Sequence, residues 1–433
     1  MSDPSRVRLR WHRSSVRALT TMVITATSAI LLCAVVYLLS GEVHRVDDAL
    51  FEATAGLTTT SLGVLNPEEL SSWLLIWRAT TQWIGGAGTL LFALLVVPTF
   101  GGHRRLNQTA KGRGQRAMLF GQQSRMATRV ILIYTGFTGA VMMAYGLAGM
   151  GITDAVTFGL TTSSTGGFAN YQDSFTHFDS ATIEWIAASA MCLAGTSLAT
   201  LMWLIRGQVQ ILWRSSEIKL YGLLVLVSTM LLTIWTWQDT GGGLQTLRRA
   251  FFIATSSLST TGFRVADWSG WDFAPQVLLL MLIGVGAMAG SAGGGFKVVR
   301  VIEILGIVRR ELVVQLHPQA VVPVKVSGAS VAEDSLTRVQ NFQILWVLAA
   351  AVGVFGVTAF GEDLLTAVSG ALSALATAGP GLGELAGFAD ATVLAAPARA
   401  VLMVLMFLGW LAIYPVVVVL GWGIGELQRL RLR

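Results

Sequence analysis

Four short stretches of hydroxyl and small residues recur along this 433-residue chain, roughly every 100 residues, and that recurrence limits the available folds more than any other feature. They are Thr58-Thr59-Thr60-Ser61, Ser163-Ser164-Thr165-Gly166-Gly167-Phe168, Ser259-Thr260-Thr261-Gly262-Phe263 and Ala376-Thr377-Ala378-Gly379-Pro380. Each follows a short apolar segment of half-helix length and precedes a polar turn and a long apolar run. One supersecondary unit has been copied four times: long helix, short re-entrant helix, small-residue loop, long returning helix.

A single such loop reads best as a small-residue packing face between helices. Four copies at matched places favour a shared axis instead. Glycine reaches positive φ and lets the backbone approach a bound ion, and four loops meeting on an axis would offer carbonyl oxygens in place of a cation's hydration shell.

The composition supplies the surroundings. With 53% hydrophobic and 12% charged residues and a mean hydropathy of +0.64, the chain is a polytopic membrane protein and not a water-soluble domain. Apolar runs of about 20 residues begin near Val16, Leu70, Thr128, Ala181, Leu220, Ala274, Phe342 and Val393, which gives eight spans, two per repeat. The expected divisions are a cytoplasmic N-terminus 1–15, repeats at 16–125, 126–217 and 218–337, and a fourth repeat with its tail at 338–433. Within them, short helices are expected at 46–57, 155–162 and 364–375, loops at 58–64, 163–170 and 376–383, and return spans over 73–98, 181–205 and 393–425.

The net charge of +6 is less informative than its distribution. Arg104, Arg105, Lys111, Arg113, Arg116, Arg125 and Arg129 share one connection without an acidic residue, and the N-terminus, the 206–219 link, the 297–338 segment and the tail are also basic. Asp47, Asp48, Glu68, Glu69, Asp173, Asp179, Asp267, Asp272, Glu362, Asp363, Glu384 and Asp390 fall on the opposite side. The positive-inside rule makes the basic side cytoplasmic and places both termini there. Binding of nucleic acid is a weaker account, because these loops alternate with spans and lack an aromatic stacking platform.

Other sites are poorly supported. The first apolar run extends to about Leu39 with no cleavage site, so it reads as a span and not a signal peptide. Cys33 and Cys192 lie in apolar runs and read as core residues. His177 has no second His or Cys nearby and reads as a solvated outer loop residue, not a transition-metal ligand. No carboxylate pair or nucleophile with its base falls at one place, so an enzyme is not expected.

The third return span departs from a plain helix. From about Ala274 it is interrupted by Gly284, Gly286, Gly290, Ser291, Gly293, Gly294 and Gly295 before Lys297, and each glycine costs about 1 kcal/mol relative to alanine in a helix interior. The interruption falls just inside the expected filter, so 289–296 is expected to be non-helical and to act as a movable gate. A packing face is the other reading that stands. A dinucleotide fingerprint or P-loop is excluded by the absence of the required spacing and of Gly-Lys-Ser/Thr. Lys297 favours the gate, since a cation at membrane depth needs water or a partner. The 303–338 stretch is amphipathic and would dock a cytoplasmic partner together with the 101–125 loop.

These residues resemble the Trk/Ktr/HKT superfamily of potassium transporters, and within it the TrkH-type membrane subunit (TrkH, TrkG, KtrB). The resemblance spans nearly the whole chain and rests on RATTQWIGGAG from Arg78 to Gly88, STGGF from Ser164, STTGF from Ser259, GSAGGGFKVVR from Gly290, Arg310-Glu311-Leu312 with His317-Pro318, and GPGLGE from Gly379. It implies a pore-forming subunit of a potassium uptake system in the plasma membrane, the bacterial inner membrane, conducting K+ and as an alternative Na+. The implied filter lies at Thr60 and Ser61, Thr165 and Gly166, Thr261 and Gly262, and Ala378 and Gly379. The implied gate comprises Gly290, Ser291, Gly293, Gly294, Gly295 and Lys297. A homodimer and a cytoplasmic nucleotide-binding ring of TrkA type follow from the same resemblance, with nucleotide bound only by that partner and no cofactor in this chain. The sequence opens on the first repeat, as in KtrB.

Three positions depart from the family pattern. Ser61 stands where the first filter loop has glycine, and plant HKT proteins with serine there are associated with Na+ transport. Ala376 and Thr377 replace an Asn pair. Gly409-Trp410-Leu411-Ala412 replaces a GRLE-like motif whose arginine faces the gate. These changes motivate an alternative function, a non-conducting scaffold or sensor subunit.

Overall fold

The computed structural model describes residues 13–95, 113–237, 242–386 and 391–431. Arg6, Arg8, Arg10, the 96–112 part of the basic connection, Asp390 and Arg433 lie outside the described residues.

The chain is helical in four successive units. The first holds α1 (Arg13–Leu39), α2 (Val46–Leu57) and α3 (Ser72–Leu95). The second holds α4 (Arg113–Leu147), α5 (Ile152–Ser163), α6 (Ala181–Ala194), α7 (Leu198–Ile205) and α8 (Gln210–Arg214). In the third are α9 (Ser216–Trp235), α10 (Gly243–Leu258), α11 (Phe273–Val285) and α12 (Val298–Leu316). The fourth has α13 (Glu333–Ala359), α14 (Leu364–Leu375), α15 (Ala396–Trp410) and α16 (Tyr414–Arg431). Among the described residues a two-stranded hairpin, Lys325–Val326 paired with Ala329–Ser330, is the exception to an all-α fold. Its turn residues Ser327 (φ 51°) and Gly328 (φ 84°) both take the left-handed conformation that such turns require.

Three of the four short helices begin where charge or capping dictates. Asp47 and Asp48 occupy the first turn of α2, and Asp154 that of α5, where the helix dipole favours anions. Asp363 caps α14 by accepting from the amides of Leu365 (2.9 Å) and Thr366 (3.2 Å).

Among the described residues four helices are long and apolar enough to cross a membrane: Val16–Leu39, Arg125–Leu147, Ser216–Trp235 and Glu333–Ala359, one opening each repeat. Large apolar side chains such as Leu32, Leu132, Leu223 and Phe355 are exposed on them, as lipid contact allows. The returning segments are less regular than expected. The 181–205 segment was expected as one span, but α6 and α7 meet at 108° around Gly195, with Ser197 starting a new helix by accepting from the Thr200 amide at 3.2 Å. The 393–425 segment also breaks, by 105°, because Ala412 (φ 53°) and Ile413 (φ 60°) are both left-handed and Pro415 in the first turn of α16 lacks the amide needed to continue α15. With each bent pair counted as one span, six helical spans satisfy length and composition. The other two return segments are α3, made more polar by Arg78 and Gln82, and the 13-residue α11.

Every returning helix packs against the short helix of the next repeat: α3 on α5, α6 on α10, α11 on α14, and α15 back on α2. That closes the four repeats into a ring. The seams carry polar bonds as well as apolar packing. Arg399 of α15 pairs with Asp48 (2.6 Å) and Asp47 (3.1 Å) of α2, Glu184 of α6 pairs with Arg248 of α10 at 2.6 Å, and Trp268 donates to the Gly381 carbonyl at 3.3 Å. Between repeats 2 and 3 the core is aromatic, built on Phe158, Phe175, Phe252 and Phe263; between repeats 4 and 1 it is built on Phe51, Leu375, Leu402 and Met406.

Within repeat 1, Arg78 and Glu52 form a buried pair at 2.6 Å. The second Glu52 oxygen accepts from the Val64 amide at 3.0 Å, and the guanidinium lies 4.4 Å from the Phe168 ring centre. Removing one member of such a pair leaves an uncompensated buried charge, at a cost of about 3–5 kcal/mol, whereas replacing both is far less harmful. Glu52→Leu should therefore lower the thermal unfolding midpoint in detergent more than Glu52→Leu combined with Arg78→Met. A double variant as damaged as the sum of the two single variants would show that the pair is not coupled.

Candidate functional site

The four short helices end in the same way. In each, one residue past the C-cap adopts a left-handed conformation: Thr59 (φ 56°), Thr165 (φ 53°), Thr260 (φ 60°) and Thr377 (φ 52°). The amide of that residue reaches three residues back and the next amide five residues back, as in Thr59 to Gly56 and Thr60 to Ala55, Thr165 to Thr162 and Gly166 to Thr161, Thr260 to Ser257 and Thr261 to Ser256, and Thr377 to Ala374 and Ala378 to Ser373. These are four copies of one left-handed helix terminator. A β-branched residue at positive φ is an outlier that costs about 1–3 kcal/mol, and strain of this kind persists where surrounding structure enforces it. Hydroxyl bonds offset part of it: Thr59 and Thr165 donate to the preceding carbonyls at 2.7 and 2.6 Å.

This shared geometry fixes the equivalence between repeats. Thr60, Gly166, Thr261 and Ala378 correspond, followed by Ser61, Gly167, Gly262 and Gly379. The expected filter residue of repeat 2, Gly166, is thus displaced by one: Gly167 (φ 76°) matches Gly262 (φ 84°) and Gly379 (φ 107°) in backbone conformation. A Cβ on Gly166 would lie 2.2 Å from the Gln82 Oε1 behind the loop. Gly166 is small to admit Gln82, and Gly167 is small to fit the ring. Ser61 is not left-handed, and Gly63 does not take its place; a Cβ at Gly63 would face Arg78 and Glu52, and its carbonyl accepts from the Ala391 amide at 2.9 Å.

The four loops converge. A Cβ at Gly167 would meet the Thr261 carbonyl oxygen at 1.8 Å, one at Gly262 would meet the Ala378 oxygen at 2.5 Å, and the Ser61 amide donates to that Ala378 oxygen at 3.2 Å. The Ser61 side chain lies among the three glycines. Side chains built on Gly262 or Gly379 would each meet its Oγ at 2.1 Å, and one on Gly167 would meet its Cβ at 2.7 Å. Its hydroxyl donates to the Ala378 carbonyl at 2.8 Å, with the Gly262 oxygen at 3.5 Å. Thr60, Thr165, Thr261 and Ala378 are all fully buried behind the ring.

On one side of the ring a cavity is bordered by Ser61, Gly167, Gly262 and Arg78. On the other lies a larger one, bordered by Thr377, Trp410 and the glycine-rich loop. That loop, residues 286–297, is non-helical, as expected for 289–296. All six residues expected in the gate, Gly290, Ser291, Gly293, Gly294, Gly295 and Lys297, border this second cavity. The loop is bonded to several neighbouring segments: the Gly294 amide to Thr260 Oγ1 (2.7 Å), the Gly295 amide to the Ala376 carbonyl (3.0 Å), the Leu198 amide to the Gly290 carbonyl (3.0 Å), and the Met288 amide to the Gly195 carbonyl (3.0 Å). Glu217, at the start of α9, accepts from the Ala289 amide at 2.7 Å. Lys297 itself is left-handed (φ 83°) and its Nζ donates to the Gly293 carbonyl.

Glu217 and Gln82 were given no role by the sequence reading. The available signal was the same for both: a polar residue in or at the end of an apolar span, where it needs a partner. Trp410 donates to the Gly85 carbonyl at 3.3 Å. His177 stacks on Tyr171 with ring centres 3.4 Å apart, and among the described residues no group of three His, Cys, Asp or Glu is placed to hold a metal ion.

A polytopic helical membrane protein whose four re-entrant loops converge between two cavities is the class this geometry defines. The profile of the family described as TrkH, cation transport protein, matches residues 8–237 and 241–421, and the chain belongs to that family. It is 35% identical over 389 residues to the Trk system potassium uptake protein TrkH of Halomonas elongata, covering 86% of this chain and 78% of that one. It is 31% identical over 347 residues to the protein of that name from Escherichia coli K12, covering 79% and 72%. The crystal structure of the potassium transporter TrkH from Vibrio parahaemolyticus superposes with a TM-score of 0.84 at 26% identity, over 97% of this chain and 87% of that chain.

A Cβ on Gly294 would lie 2.0 Å from the Ala376 carbonyl oxygen, so Gly294→Ala should push the loop off its partners. With Cys33 and Cys192 replaced by alanine, Ser291→Cys, a buried position, should then react about tenfold faster with a water-soluble maleimide, the effect of about 1.4 kcal/mol on the opening equilibrium. An unchanged rate would show that the loop takes the methyl group in place.

Proposed function

We propose that this chain is the pore-forming subunit of a potassium uptake system, passing K+, with Na+ as the competing cation, along the axis through Ser61, Gly167, Gly262 and Gly379. The observation that carries the reading is the convergence of four short helices by their C-terminal ends on one ring. Those ends carry the partial negative charge of the helix dipole and favour a cation there without a full anionic charge that would trap it. The relatives' names, potassium uptake proteins, support the choice of ion.

In this reading the ion enters from the side bearing Asp47, Asp48 and Asp363 and leaves toward the basic side, which is cytoplasmic, driven by about 2.3 kcal/mol per charge for each 100 mV of membrane potential. The loop 286–297 is the gate. It lies across the exit in its bonded form, and conduction requires that its bonds to Thr260, Ala376, Gly195, Leu198 and Glu217 be exchanged. Two copies of the chain and a nucleotide-binding ring docked on the 303–338 segment complete the assembly in the inner membrane, and binding energy from that ring supplies the exchange.

Ser61 gives the second reading its one supporting observation. Its hydroxyl takes up the Ala378 carbonyl at 2.8 Å and occupies the centre of the ring, as a non-conducting scaffold or sensor subunit would permit. In the conducting reading the side chain swings aside or its oxygen becomes a ligand, which alters both the bore and the ligand field and weakens preference for K+.

Expression in a host lacking potassium uptake decides between them. The native chain should restore growth at low K+, and Ser61→Gly should raise the K+/Na+ flux ratio about tenfold, equivalent to ~1.4 kcal/mol. No flux of either cation in the native chain or in Ser61→Gly would establish the scaffold reading. A native ratio already high and unmoved by the substitution would remove Ser61 from the account of selectivity.

A further inference from the structure

A primary amide inside an apolar helix is costly unless both its ends are bonded, and Gln82 in α3 has no exposed surface. Its Nε2 donates to the Thr60 carbonyl at 3.1 Å and to the Gly166 carbonyl at 2.7 Å, while its Oε1 accepts from the Phe168 amide at 3.0 Å. Thr60 and Gly166 immediately precede Ser61 and Gly167 in the ring, and they belong to different repeats.

We propose that Gln82 is a positioning residue for cation selectivity, which sets the gap between the first and second pore loops and through it the bore of the ring. The proposal rests on reading the ring as a cation filter. The two N–H bonds of one amide diverge by about 120°, so two acceptors at hydrogen-bond distance are held roughly 5 Å apart by a planar group that cannot stretch. A bond between loop backbones would follow the loops as they moved. This clamp does not, because its base is a helix packed on α5. The third bond, from the Phe168 amide, fixes the amide's orientation and so decides which end faces the two carbonyls. Gly166 completes the device, since a Cβ there would lie 2.2 Å from Oε1. The seam between loops 1 and 4 is closed differently, by the amide and the hydroxyl of Ser61 on the Ala378 carbonyl, bonds between the loops themselves that follow them as they move, so the two seams differ in stiffness.

The test is K+ and Na+ flux by the full chain in proteoliposomes. Gln82→Leu frees both carbonyls, and Gln82→Asn, one methylene shorter, reaches only one of them. The K+/Na+ flux ratio should fall about threefold or more in the leucine variant and less in the asparagine variant. Thr138→Val, which removes the α4 hydroxyl to which Trp83, the neighbour of Gln82 on α3, donates at 3.0 Å, should leave the ratio unchanged while lowering both fluxes alike. If Gln82→Leu does not accumulate in the membrane, Gln82→Asn decides. A native chain that conducts, with an unaltered ratio in the Gln82 variants or an equal loss of both fluxes, overturns the clamp and leaves the filter standing. A native chain with no flux overturns the filter reading and the clamp with it.

Discussion

Helices of 12 or 16 residues that stop at membrane depth leave their last carbonyls without intrahelical partners and without water. Each carbonyl must be met from elsewhere in the protein or by a permeating ion. The left-handed threonine terminator recovers part of the deficit inside every repeat. Amides of the glycine-rich loop and the side chain of Gln82 recover more. What remains is a set of oxygens and four converging helix dipoles that favour a cation, so the ring is as much a consequence of unfinished helices as a site added to them.

The ring is unequal, and the inequality has a steric cause. Three of its positions are glycines at positive φ whose missing side chains are each replaced by another loop's atoms at under 3 Å. There is room for one side chain among the four, and Ser61 supplies it from a backbone that is not left-handed. A serine at any of the other three would have to displace main chain. The first repeat is the one in which the substitution is sterically possible, and it is also the one where the hydroxyl finds a carbonyl, that of Ala378, to bond.

Much of this was legible in the sequence because it rests on composition and recurrence. The bounds of α2 and α14 coincide with the apolar half-segments before Thr58 and Ala376, and the unwinding of 286–297 follows from its glycines. Two errors were of register and continuity. Gly166 and Gly167 are chemically identical, so only the position of left-handed Thr165 could assign the second to the ring. The breaks at Gly195 and at Ala412-Ile413 occur in runs whose hydropathy stays high, because what bends them is backbone conformation and contact with the glycine-rich loop, which hydropathy does not record. Gln82 was hidden for the opposite reason: its meaning lies in partners 22 and 84 residues away.

Packing face and gate were competing readings of the glycine-rich loop, and the geometry removes the competition between them. Gly293 and Gly294 press against the Ser259 and Ala376 carbonyl oxygens, where a Cβ would meet oxygen at 2.5 and 2.0 Å, so the glycines are packing residues whose partner is the pore itself. Whether such a loop can also move is a matter of magnitude. Five bonds join it to segments other than its own flanking helices, from Gly294, Gly295, Leu198, Met288 and Ala289, and at about 1 kcal/mol net for each they favour the bonded form by about 5 kcal/mol. Against that bias, a partner that binds the open form about 5.5 kcal/mol more tightly shifts the ratio about 10⁴-fold and makes the open form the majority. As the proposed gate, the loop is held firmly enough to stay shut unaided and weakly enough to be opened by one regulatory contact, whereas a continuous helix over the same residues would have to break its own ladder to do so.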